Sequence, residues 1–89
     1  SGTSCDGISA AAVRFRAART PGPRLVAEIV GTGHVAYDAS QRERLLAAMQ
    51  GASPAEYCRL HADLGHWLAD AAARLLADAG VARSDVAAV

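Results

Sequence analysis

The chain contains no lysine, two cysteines, three prolines and four aromatic side chains among 89 residues. Without lysine, a Walker-type phosphate loop, whose lysine reaches the terminal phosphates, is excluded. Two cysteines permit at most one disulfide, and Cys5 and Cys58 are expected to be free thiols in a reducing compartment. An excess of basic charge is also lacking, because nine arginines balance nine acids. The first 44 residues carry six Arg against four acids and the remainder three Arg against five. Neither half is a polybasic or acidic tail, so nucleic acid is not an expected partner. Long hydrophobic runs are missing too: Arg, Asp or Glu interrupts the small apolar stretches every few positions, far short of the roughly 20 residues of a membrane span. No basic segment followed by an apolar one opens the chain, so a secretory signal is not expected and the cytoplasm is the default location.

What the chain does have is alanine. Apolar residues make up 52 % of it, but 22 of these are Ala, leaving only 24 larger apolar side chains (Cys included). That composition makes a thin core for a length that fits one small domain or part of a larger one, domains usually running to about 100–150 residues. The opening Ser1 and an apolar run that begins at the very end suggest a piece of a longer protein.

Residues 1–7, Ser-Gly-Thr-Ser-Cys-Asp-Gly, lack apolar periodicity and read as a loop. A hairpin is expected over 8–36. Val13 and Phe15 alternate with Arg14 and Arg16 in its first strand; Leu25, Ala27 and Ile29 alternate with Val26, Glu28 and Val30 in its second. Thr20-Pro21-Gly22-Pro23 forces the reversal between them. Ser40-Gln41-Arg42-Glu43 fits a capping box and predicts a helix over 41–50, with Gly51 suited to the left-handed position beyond it. Ser53 followed by Pro54 predicts a second helix over 54–79. Tyr57, Leu60, Leu64, Leu68, Ala71 and Leu75 draw its apolar stripe, Trp67 lies beside the stripe, and Gly80 with Val81 supplies a Schellman-type stop. Residues 85–89 suit a buried parallel strand. Strands followed by helices and a further strand give an α/β class, a sheet covered by helices.

Among candidate sites, the opening loop leads. Glycines allow close backbone approach to phosphate oxygens, Thr3 and Ser4 add donors, and Asp6 could hold Mg²⁺ directly or through water. An ordinary polar turn would use the same residue types. Gly31-Thr32-Gly33-His34-Val35-Ala36 matches a dinucleotide-binding pattern only nominally, because its helix should begin inside the motif whereas the cap signal waits until Ser40. It reads instead as a glycine-kinked strand end. Cys58 and His61 share a helix face, but His66 is turned away and a zinc set is not assembled. A serine nucleophile acting with His34 or His61 has no elbow motif to place it. The helix over 54–79 either packs on its own sheet or offers its stripe to a protein partner, as a non-catalytic module would.

Ser1-Gly2-Thr3-Ser4-Cys5-Asp6-Gly7-Ile8 with the strand Ala10–Phe15 resembles the S-G-T-S-x-D-G-[VI]-D segment of the anhydro-N-acetylmuramic acid kinases. Tyr37 in the turn before the first helix and Leu64-Gly65 in the long helix continue the resemblance. It implies the N-terminal quarter of an actin-like, hexokinase-like ATPase fold, lacking most of its first strand. By the same resemblance the complete enzyme uses ATP and Mg²⁺ to phosphorylate 1,6-anhydro-N-acetylmuramic acid while water opens the anhydro bridge. The product, N-acetylmuramic acid 6-phosphate, enters cell-wall recycling, and the full-length protein is expected to form a homodimer. Gly2, Thr3, Ser4, Cys5, Asp6, Gly7, Ile8 and Ser9 would form the ATP-phosphate loop, with Asp6 near the metal. Ser9 stands where the family usually has aspartate. A glycine-histidine-glutamine-threonine segment and the aspartate acting as general base would follow Val89, so these 89 residues alone are expected to be inactive.

Overall fold

The computed structural model describes residues 5–89; Gly2, Thr3 and Ser4 of the expected phosphate loop lie outside them. Strand β1 (Gly7–Ala18) pairs antiparallel with β2 (Arg24–Ala36), and the chain continues through helix α1 (Ala39–Gln50), helix α2 (Pro54–Ala79) and a 3₁₀ turn at Arg83–Asp85. A hairpin followed by two helices is the expected α/β arrangement, as in the N-terminal part of an actin-like ATPase fold.

The termini of the helices follow from local chemistry. The α1 cap sits two residues earlier than the sequence suggests. Asp38 takes the Gln41 N–H at 2.7 Å, and the Gln41 side chain returns to the Asp38 N–H at 2.9 Å. A capping box therefore forms, with Asp38 in place of Ser40, because a carboxylate is at least as good an acceptor for the orphan amides. Gly51 closes α1 at φ 127°, ψ 131°. This is a positive-φ conformation but not the left-handed helical one expected. Ser53 caps α2 by accepting from the Glu56 N–H at 3.1 Å. At the other end Gly80 is left-handed, and Val81 N–H bonds Leu76 C=O at 2.9 Å, the six-to-one bond of a Schellman stop.

Helix α2 lies on one face of the hairpin, and the contact depends on missing side chains. A Cβ added at Gly31 would come within 3.1 Å of Ala79 Cβ, and one at Gly33 within 3.7 Å of Leu75 Cδ1. The two glycines are thus not a kinked strand end but the bed on which the helix rests. Leu60, Ala71 and Leu75 are the buried residues of this core. Leu68, expected in the stripe, is 53 % exposed, and Trp67 takes its place on the inner side, half-buried. The inner side from Leu60 through Leu64, Trp67 and Ala71 to Leu75 is again spaced by three and four, so the helical period admits either residue and packing selects Trp67.

The hairpin reaches beyond the helix. The molecule measures 53 × 26 × 22 Å with a radius of gyration of 17.0 Å, against about 12 Å for a compact chain of this length. Near the turn, Phe15, Leu25 and Ile29 are each more than 60 % exposed. The strand expected over 85–89 does not form. Val86 is extended, but the sheet contains β1 and β2 alone among the described residues, and a strand without a ladder partner cannot satisfy its backbone groups. Among the described residues no helix is long and apolar enough to cross a membrane.

The glycine seam yields a direct expectation. Leu75→Ala should lower stability by about 3 kcal/mol, as cavity-forming substitutions do, whereas Leu68→Ala should stay within about 1 kcal/mol. Chemical denaturation of the two variants measures the contrast, and equal losses would contradict the packing described.

Candidate functional site

The described part of the opening loop sits at the end of the sheet furthest from the hairpin turn. Cys5 has φ 48°, a left-handed conformation that non-glycine residues seldom adopt. It turns the chain just before β1 begins. Asp6 follows, exposed, and its backbone C=O accepts the Tyr37 N–H at 2.9 Å. That bond extends the β1–β2 ladder by one step and fixes the loop exit to the start of α1.

From Gly7 onward the pleat sorts the candidate residues onto two faces. Ile8, opposite Val35, shares the helix-facing side with Ala10, Ala12, Gly31 and Gly33, so its half-buried side chain is turned toward α2. Gly7 and Ser9 belong to the other face, with Thr32 and His34. Ser9 lies directly opposite His34, and its Oγ is 2.9 Å from His34 Nδ1. The structure therefore groups Cys5, Asp6, Gly7 and Ser9 at one sheet end and separates Ile8 from them by the thickness of the sheet.

Behind the loop stands a brace built from both helices. The Tyr37 ring meets Trp67 of α2 at 6.1 Å between centroids, tilted by 59°. Burial, with smaller contributions from Cys5 and Asp6, holds the Tyr37 phenol above its usual range, so it stays a neutral hydroxyl beside the loop. Arg44 of α1 lies over Trp67, its guanidinium carbon 5.8 Å from the ring centroid. The same guanidinium bonds Glu56 at 2.9 Å and Asp63 at 2.8 Å. Glu56 also receives Arg59 at 3.2 Å. Below this network the Tyr57 hydroxyl donates to the Ala48 C=O at 2.9 Å and accepts from the Ala52 N–H at 3.1 Å, tying the α1 exit to α2. The hydrogen bonds that Arg44 donates, to Asp63 first and then to Glu56, hold it more firmly in its charged form. The Arg44 hydrogen bond likewise pulls the Glu56 carboxyl below the usual carboxylate range.

The remaining candidates stand apart. Cys58, His61 and His66 are exposed on α2. Among the described residues no three His, Cys, Asp or Glu side chains converge as metal ligands. Both cysteines are free thiols. The glycine-rich segment of β2 lies inside a strand, with no helix starting in it, and so lacks the geometry of a dinucleotide-binding turn.

His34, Arg44 and Trp67 were not singled out by the sequence for this neighbourhood. Arg44 and Trp67 carried a usable signal: both lie on helix faces turned toward the turn that contains Tyr37.

These features are those of a loop exit tied to the end of a sheet, with an exposed carboxylate at that exit. Anhydro-N-acetylmuramic acid kinases from two strains of Xanthomonas campestris pv. campestris are each 45 % identical to it over 92 residues, covering 100 % of this chain. The resemblance carried by the opening residues thus holds along the whole chain. The chain spans 23 % of the length of these curated relatives. No protein-family model matches it, and no solved structure matches it significantly.

The brace generates a pH expectation. Because the Glu56 carboxyl titrates lower in the folded than in the unfolded chain, its contribution is complete above the unfolded value and disappears as pH falls through the folded one. Glu56→Gln should therefore melt below wild type at neutral pH, and the gap should narrow progressively as the pH is lowered beneath the ordinary carboxylate range. A gap that stays the same size as the pH is lowered would show that the charge is not what holds the pair.

Proposed function

We propose that this chain is the phosphate-loop portion of an ATP-dependent sugar kinase acting on 1,6-anhydro-N-acetylmuramic acid. The identity shared with the anhydro-N-acetylmuramic acid kinases carries this reading, and the geometry of residues 5–9 supports it. In the complete enzyme, phosphorylation of the sugar accompanies hydrolytic opening of its anhydro ring and gives N-acetylmuramic acid 6-phosphate for reuse of cell-wall material in the cytoplasm.

Phosphoryl transfer depends mostly on positioning and on charge stabilisation. In this reading residues Gly2 to Ser9 follow the nucleotide's phosphates. Gly7 lets the backbone approach closely, and the Tyr37 bond to Asp6 keeps the loop exit from drifting. Asp6 is an exposed carboxylate, an oxygen donor that suits Mg²⁺, which takes one or two carboxylates and fills its remaining positions with water and phosphate oxygens. Mg²⁺ held there would offset negative charge on the phosphate chain. Ile8 serves differently, anchoring the loop to the sheet from the helix side. The general base and most sugar contacts belong to other parts of the enzyme.

The competing reading, a non-catalytic module binding a partner through the α2 stripe, loses support because Leu60, Ala71 and Leu75 are already buried within the chain.

In the complete protein, Asp6→Ala should lower kinase turnover at least about tenfold, a loss of roughly 1.4 kcal/mol or more in transition-state stabilisation. A coupled assay for ADP release with the anhydro sugar measures it. Wild-type turnover in the variant would remove Asp6 from the mechanism.

A further inference from the structure

The Ser9–His34 pair is not explained by the loop residues alone. The two side chains lie on the sheet face opposite α2, where Ser9, Thr32 and His34 line a shallow hollow open to solvent. The 2.9 Å contact is made through Nδ1, which turns the opposite edge of the ring toward the loop. A Cβ placed on Gly7 would fall 2.6 Å from His34 Nε2 and 2.8 Å from its Cε1. The imidazole edge therefore lies over Gly7, one residue from Asp6. The Val35 carbonyl oxygen would be only 2.5 Å from the same Cβ, so position 7 excludes a side chain on two counts. The space a side chain would have filled is where the ring sits.

The chemistry of the pair follows from its hydrogen bond. When the Ser9 hydroxyl donates to Nδ1, the neutral ring carries its proton on Nε2. A donor is then presented at the edge of the loop. These 89 residues contain no lysine, and the imidazole N–H from the neighbouring strand is a donor of the kind a phosphate oxygen accepts.

We propose that His34 is a phosphate-binding residue of the complete enzyme, its Nε2–H donating to a phosphate oxygen of the nucleotide held by the opening loop, with Ser9 as the positioning residue that fixes the ring's tautomer. This inference rests on the kinase reading above and assigns a residue to it from outside the loop.

Calorimetric titration of the complete protein with Mg²⁺ and the non-hydrolysable β,γ-imido analogue of ATP tests it. His34→Ala should weaken analogue binding about tenfold, the effect expected for losing one hydrogen bond to a charged group. Since His34 is exposed, the melting temperature should not change. His34→Gln, which keeps an N–H at similar reach, should recover most of the affinity, and Ser9→Ala should weaken binding by a smaller factor. Wild-type affinity in His34→Ala overturns the proposal. So does a His34→Gln variant as weak as His34→Ala, because the ring would then matter for its bulk and not for its donor. A wild-type protein that does not bind the analogue at all overturns the kinase reading itself, and this inference with it.

Discussion

The close approach of α2 to Gly31 and Gly33 is the constraint on which the rest of this structure depends. Alanine-rich chains bury little area per residue, so a helix and a sheet built from them must come nearer than usual to exclude water. Two side-chain-free positions, with Ala10 and Ala12 opposite Gly33 and Gly31 on the neighbouring strand, let Leu75 and Ala79 settle onto the backbone itself. Once that seam is set, the direction of the hairpin relative to α2 is fixed, and so is the position of everything at its loop end.

The path from the seam to the site is short. Tyr37 lies one residue past the end of β2, holds Asp6 through the backbone, and leans on Trp67 of the same helix that forms the seam. Arg44 extends the brace to α1 while drawing in two carboxylates of α2. Its side chain is about 30 % exposed, so the ion pairs are screened and individually weak. Their use is geometric: three attachments on one guanidinium hold α1, α2 and Trp67 in a single arrangement behind the loop. In the kinase reading proposed above, the loop would gain from such support, because misplacement by about 1 Å is costly to catalysis.

Much of this was legible in the sequence. The hairpin and the limits of α2 followed from Pro-Gly-Pro, Ser-Pro and Gly80, each of which restricts the backbone for a local reason. What escaped depended on longer-range choices. Ser40 competed with Asp38 for the cap, and the carboxylate won. Residues 86–89 had the composition of a strand but no partner strand. The register was the least visible feature. Counting back from the turn would place Ser9 opposite Gly33 and His34 opposite Ile8. Instead the ladder shifts between Ala12 and Val13, leaving Val30 as an extra residue on β2. Since a one-residue slip exchanges the faces of a strand, this bulge is what carries His34 to the side of Ser9.

The bulge also coincides with the end of helix cover. Below it, the face toward α2 holds Ile8, Ala10, Ala12, Gly31, Gly33 and Val35, all small or apolar. Above it, the same face holds Arg14 opposite Glu28 and Arg16 opposite Val26, while the apolar pairs Val13–Ile29, Phe15–Ala27 and Ala17–Leu25 occupy the reverse side. Helix α2 stops at Gly80, immediately after Ala79 has reached Gly31. The residues of β1 and β2 thus change sides where the helix can no longer shield them. Were Val30 instead paired with Val13 in an unbroken ladder, β2 would keep its strict alternation, Ile29 would point with Gly31 and Gly33, and its partner on β1 would be Arg14. One inserted residue lets a single hairpin present an apolar surface to α2 at its loop end and opposite charges on that same face beyond it. The loop end is consequently the half of the sheet that α2 covers on one face.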